Sequence, residues 1–420
     1  QAAEANQQRM RAEQEALTAE TTASFLADLF QGAEPGFALG DTLTAFDLLR
    51  RGVERAENEL AATPVVHARV LFAVGRAYRF LGDYAGADST LARTLTVLEP
   101  ARADAPLLYA DALLLHGTVF SDRANWARAD PLLRRGVEAY VASGDTVSVD
   151  FADALRQRGT SLTQQGAYDS AAVFVERAVR VARTLYAASG EVHNSFPGAL
   201  NDYGFLLSEL GRLDEAEAAK REAIGIVEEA VGERHPDWVI SMSNLSRFLS
   251  QAGRFTEAET AARQALAQGG EVYGEGHAGL TFILLNLAES LRGQARYQEA
   301  EGPYREMLDI GRITLGEQHP VITIALAGLG ESLRQTDRAQ EAVPLLREAR
   351  AVTSTNIPGN AYGDRARIEL ARSFAALSNG AEAKALLEDG IRRIDAYNRP
   401  TPITSDDLRT VLRELGLYDQ

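Results

Sequence analysis

The chain has 420 residues, 45% hydrophobic and 24% charged, a composition that builds packed cores and excludes a disordered polar chain. Its formal net charge of −16, with no dense run of lysine or arginine, excludes a nucleic-acid backbone or an anionic membrane surface as partner. With no cysteine there is no disulfide, thiolate metal site or cysteine nucleophile.

The chain opens on Gln1 with no charged-then-apolar leader, and is expected to be a fragment or a processed product. Residues 1–24 are rich in Ala, Glu and Gln with few apolar anchors, which predicts an exposed helical stalk. Residues 25–61 follow as an amino-terminal helix pair that caps what comes next.

From residue 62 the sequence keeps time. The short stretches GDYAGA from Gly82, ANWARA from Ala124, GAYDSA from Gly166, GRLDEA from Gly211, GRFTEA from Gly253, ARYQEA from Ala295 and DRAQEA from Asp337 all end in alanine. With Ala45 and Ala383 these alanines form the series 45, 87, 129, 171, 216, 258, 300, 342 and 383, almost every step being 42. Twelve residues before the seven central alanines stand Gly75, Gly117, Gly159, Gly204, Ser246, Ala288 and Gly330, all small.

Between them bulky residues recur at helical spacing, as in Leu200, Tyr203 and Leu207 or Leu284, Leu287 and Leu291. Each unit therefore reads as a helical hairpin, its small residues letting the two helices approach. Tyr84, Trp126, Tyr168, Leu213, Phe255 and Tyr297 open the second helices. One hairpin cannot bury its apolar stripe alone, so neighbours must stack.

This order of small residue, turn glycine, aromatic and alanine resembles the tetratricopeptide repeat, lengthened from 34 to 42 residues as in kinesin light chains. The resemblance implies an all-α, right-handed superhelical solenoid of about eight antiparallel helix pairs over residues 62–396. Residues 397–420 should close it with a capping helix: Ser405 reads as its N-cap, followed by first-turn acids and apolar Leu408, Val411, Leu412 and Leu415.

Four of the six histidines share the beat. GEVH, GERHP, GEGH and GEQHP place His193, His235, His277 and His319 at steps of 42. Rungs separated by packed helices cannot share one metal, because helix axes lie about 8–10 Å apart while zinc binds imidazole at about 2.0–2.1 Å. Each histidine stands just before a first helix and is expected to satisfy backbone groups there.

The pairs Glu215/Glu217, Glu257/Glu259 and Glu299/Glu301 read as solvated surface, since residues two apart on a helix do not face each other. Arg212, Arg254, Arg296 and Arg338 repeat in the hairpin turns and should pair with nearby glutamates, with a phosphate or an acidic peptide as the alternative. Asn244, Leu245 and Ser246 spell a glycosylation sequon but fall on a packed helix.

In tetratricopeptide proteins the first helices line the usual ligand-binding face. In the register of this sequence, that resemblance assigns Arg69, Arg76 and Arg79, then Asp111, Thr118 and Asp122, then Asp153, Arg156, Thr160 and Gln164 to the face. Further along it assigns Asn201, Phe205 and Ser208, then Arg247, Phe282, Glu289, Arg292 and Arg334. The surface is mixed in charge.

A second resemblance lies at the front. Phe25, Leu26, Leu29, Phe30, Pro35, Gly40, Thr44, Leu48, Leu49 and Gly52, followed by GRAYRFLGDYAGA from Gly75, look like the segment that opens the repeat region of bacterial membrane-anchored serine/threonine protein kinases. That resemblance implies an upstream kinase domain and membrane helix, with these residues as the extracytoplasmic docking or sensor region.

The chain itself has no glycine-rich phosphate loop, no HRD and no DFG, so no catalytic, cofactor-binding or metal role is assigned to it. Its longest apolar stretches, such as GLTFILLNLA from Gly279, are too short to span a bilayer. The expected function is a protein-interaction scaffold for a peptide or a partner domain. The alternative is a free-standing cytoplasmic adaptor or self-associating subunit.

Overall fold

A computed structural model describes residues 45–193, 195–317, 319–353, 361–396 and 403–418. The expected stalk at 1–24, and the part of the expected cap before Ala45, lie outside these residues. The chain divides into two compact units, Gln1–Arg212 and Leu213–Gln420.

The described part of the first unit holds α1 (Ala45–Glu59), α2 (Pro64–Phe80), α3 (Tyr84–Leu98), α4 (Pro106–Ser121), α5 (Trp126–Ser143), α6 (Val149–Gln164), α7 (Tyr168–Ser189) and α8 (Ser195–Glu209). The second holds α9 (Leu213–Val231), α10 (Pro236–Gln251), α11 (Phe255–Tyr273), α12 (Leu280–Gly293), α13 (Tyr297–Thr314), α14 (Pro320–Gln335), α15 (Ala339–Thr353), α16 (Ala361–Ala376), α17 (Gly380–Ala396) and α18 (Ser405–Glu414). All described regular structure is helical, and in each unit the helices stack as antiparallel pairs.

The residues that set the period explain the pairing. Ala87, Ala129, Ala171, Ala216, Ala258, Ala300, Ala342 and Ala383 are fully buried. A Cβ added at Gly75, Gly117, Gly159 or Gly330 would come within 2.4–2.8 Å of Leu91, Leu133, Val175 or Leu346, each one turn past one of these alanines. At one rung volume is exchanged between the two positions: where the first helix carries Ser246 in place of glycine, the second carries Ala262, and Ser246 Oγ donates to the carbonyl of Ala258 at 2.8 Å.

Each hairpin turn is a Schellman cap. The N–H of Asp83 reaches the Tyr78 carbonyl five residues back, and the same bond recurs at Asn125, Ala167, Arg212, Arg254, Arg296, Arg338 and Asn379. The residue just before it must be left-handed; Gly82 has φ 77° and Gly253 75°, but Ala124, Ala295, Asp337 and Ser378 hold φ 51–60° without glycine's freedom.

The loops between hairpins account for the histidine motif. Its glycines, Gly190, Gly232, Gly274 and Gly316, take φ 69–87° to end second helices. Nδ1 of His235, His277 and His319 then accepts the backbone N–H two residues on, at 3.2, 3.0 and 3.2 Å. His235 and His319 are thereby the N-caps of α10 and α14, while His277 holds the N–H of Gly279, the residue just ahead of α12. Proline at the first position of α2, α4, α10 and α14 needs no N–H partner there.

At the carboxyl end the N-cap is Thr404 rather than Ser405. Thr404 and Asp407 form a reciprocal capping box, which the acid three residues along selects, and Ser405 starts the helix with its Oγ donating to Asp395 at 2.5 Å.

Candidate functional site

In the first unit the first helices α2, α4 and α6 lie side by side and enclose a groove of about 490 Å³. Nine residues assigned to the binding face from the sequence line it: Arg76, Arg79, Asp111, Thr118, Asp122, Asp153, Arg156, Thr160 and Gln164. Period and helical register were enough to bring residues more than 80 positions apart to one surface.

Most of the groove's charges are paired. Arg79 grips Asp122 through Nε and Nη2 at 2.7 and 3.3 Å. Arg156 bonds Asp153 at 3.2 Å and Asp202 of α8 at 3.1 Å, and Thr160 Oγ1 donates to the same Asp202 oxygen at 3.0 Å. Thr118 Oγ1 donates to Gln157 at 2.7 Å. These bonds tie each rung to the next.

Asp111 differs. Burial pushes its carboxyl up to about 6, aided by the nearby charges of Asp150 and Asp145 and opposed by a hydrogen bond from the buried Tyr140 hydroxyl and by Arg69. Burial likewise raises Asp150, with Asp153 and Asp145 adding to it. Arg69 stands close enough to Asp111 to act on its charge but does not line the groove. On α8, Asn201 Nδ2 bonds the Pro197 carbonyl at 3.0 Å and Ser208 Oγ the Gly204 carbonyl at 2.7 Å, so both are engaged by their own helix; Phe205 is half-buried.

In the second unit the assigned residues separate into two sets. Arg247 and Phe282 are exposed on α10 and α12. Ile240, half-exposed on α10 and 42 residues before Phe282, holds the equivalent repeat position; the sequence reading missed it, though the repeat interval was the signal that finds it. Glu289, Arg292 and Arg334 are held within the unit. Glu289 accepts from Arg292 at 2.6 Å, Tyr304 at 2.8 Å and Arg365 at 3.1 Å, while Arg334 pairs with Glu369 at 2.7 Å. Arg365, brought in by α16, also bonds Glu331 at 2.6 Å, so the charges at this end of the face are matched by the unit's own ion pairs.

The turn arginines form a second array. Arg254, Arg296 and Arg338 each grip the glutamate three residues on, Glu257, Glu299 and Glu341, with two nitrogens at 2.6–2.8 Å. Each also sends Nη1 back to the preceding second helix, to Glu217, Glu259 and Glu301. The expectation of solvated surface therefore fails for these last three glutamates: Glu259 and Glu301 are buried in the seam between consecutive hairpins, where a carboxylate needs its arginine. Among the described residues no three metal-ligating side chains converge, and no helix is long and apolar enough to cross a membrane.

The tetratricopeptide repeat family model matches three overlapping windows, 196–269, 239–313 and 279–355. These residues are tetratricopeptide repeats. Among curated protein sequences, none matches the chain.

Solved structures share the tetratricopeptide fold at low identity. BtubC (BKLC) from P. vanneervenii is 22% identical over 57% of this chain and 96% of its own, with a TM-score of 0.51. The apo quorum sensor NprR from B. thuringiensis is 14% identical over 89% and 98%, with a TM-score of 0.55. A signal-transduction ATPase with a tetratricopeptide repeat sensor, from Pyrococcus horikoshii, is 13% identical with a TM-score of 0.56; it covers 90% of this chain, which spans 55% of that protein.

Proposed function

We propose that the chain is a non-catalytic protein-interaction scaffold and that the groove across α2, α4 and α6 captures a peptide or a segment of a partner protein. The observation that carries this reading is the convergence of charged and hydroxyl side chains from three successive first helices on one open groove of about 490 Å³. The side-chain amides of Gln157 and Gln164 in its lining suit the polar main chain of an extended peptide. Substituting Gln164, an exposed lining residue, by Trp should abolish partner co-precipitation while helicity stays constant; undiminished co-precipitation would refute the assignment.

The resemblance at the front supports a finer proposal, that this scaffold is the docking or sensor region of a bacterial membrane-anchored serine/threonine kinase and is displayed outside the cytoplasm. Its likeness in fold to a repeat sensor on a signalling ATPase and to a quorum sensor agrees with a signalling role. An antibody against the chain decides this in source cells. A membrane-bound band larger than 45.4 kDa by a kinase domain and a membrane helix is expected, and a soluble band at 45.4 kDa would identify a free-standing adaptor instead.

A further inference from the structure

The groove's charges leave a specific remainder. Arg79 is matched by Asp122, and Arg156 by Asp153 and Asp202. Among the described residues no cation lies within ion-pair distance of Asp111 or Asp150, and no carboxylate within that distance of Arg76. Arg76 is exposed and stacks 6.0 Å over the Phe72 ring. A first-turn acid complements the dipole of α6, which accounts for Asp150 alone. It does not account for Asp111 facing it from α4, with Asp145 close by. The groove thus has an anionic wall on α4 and α6 and a free guanidinium on α2.

We infer that the groove selects a peptide segment carrying a basic side chain, which seats against Asp111 and Asp150, with an acidic side chain or terminal carboxylate reaching Arg76. This rests on the groove being the peptide-binding surface. A lysine or arginine there supplies the ion-pair contact that Arg69, which acts on Asp111 only from beyond ion-pair distance, does not make, and it relieves the repulsion that Asp150 exerts on Asp111. A purely acidic peptide meets that wall as like charge.

The test uses the full chain and three pools of fluorescein-labelled nonamer peptides with identical randomised flanks and lysine, glutamate or serine fixed at the three central positions, read by anisotropy. The lysine pool should bind at least five-fold more tightly than the glutamate pool. Asp150→Asn and, separately, Asp111→Asn, which keeps an acceptor for Tyr140, should each reduce that preference at least three-fold and leave the serine pool unmoved. Raising the salt should weaken the lysine pool most. Equal binding of the lysine and glutamate pools, or a lysine preference that both asparagine variants retain, overturns the inference. If binding is indifferent to charge yet lost in Gln164→Trp, the groove stands as the binding surface and only the charge selection falls. If no pool binds the wild-type chain, both readings fall together.

Discussion

Replacing Gly330 by Ala tests the volume exchange on which the hairpin depends. An added Cβ would lie 2.5 Å from both Cγ and Cδ2 of Leu346 and 3.0 Å from Cδ1, and Leu346 is fully buried, so the clash cannot relax at a free chain end. Overpacking of this kind costs about 1–3 kcal/mol. Alanine in mid-helix recovers roughly 0.5–1 kcal/mol of glycine's backbone entropy. The single substitution should therefore be destabilising by up to about 2.5 kcal/mol.

Leu346→Ala alone should cost about 2–5 kcal/mol through its cavity. In that background the new methyl meets open space, and Gly330→Ala should turn stabilising. The cycle should yield a coupling of about 1–3 kcal/mol, well above the scatter of independent sites. Because repeat arrays need not unfold in one step, native-state amide exchange of α14 and α15 is the suitable assay, since it reports the local opening free energy. Additivity within about 0.5 kcal/mol would refute the close approach.

Arg296→Gln removes the link from one hairpin to the buried Glu259 of the hairpin before it, so the urea midpoint should fall, and fall less at 1 M NaCl; a loss insensitive to salt would mean that packing, not charge, holds the seam. Ala295→Gly relieves an alanine held at φ 56° and should stabilise the chain by about 1 kcal/mol in urea titrations, despite glycine's entropy in the unfolded state. His319 titrates below its ordinary value because burial disfavours its charged form. The native state then binds fewer protons than the unfolded one, so this contribution is complete above the unfolded pKa of about 6.5 and is lost as pH falls through the lower folded value. Protonation of Nδ1 also removes the acceptor for the Val321 N–H. His319→Asn, a cap that does not titrate, should flatten the stability profile of α14 between pH 7.5 and 5, and an unchanged slope would place the titration elsewhere.

The period was legible because it repeats the same physical demand. A buried alanine facing a small residue and a left-handed turn must recur wherever two helices cross closely, and Tyr84, Trp126, Tyr168, Leu213, Phe255 and Tyr297 do begin the second helices. The same register brought the first-unit residues to one groove. The partners that satisfy them were not legible. Asp202 takes Arg156 and Thr160, and Arg365 reaches Glu289 two hairpins away; both contacts depend on how far each long side chain extends across a face, which spacing along the chain does not encode. Glu217, Glu259 and Glu301 were misread for a related reason. A rule about neighbours on one helix says nothing of an arginine delivered by the next hairpin.

The central claim, that the first-unit groove is where a partner binds, is tested most directly by site-specific photo-crosslinking in source cells. A benzophenone side chain at Gln164 faces the groove, and one at Val173, 62% exposed on the second helix of the same pair, lies outside the lining. A discrete crosslinked partner from position 164, absent from position 173, is the predicted result. Crosslinking from position 173 alone, or equally from both, would contradict the account.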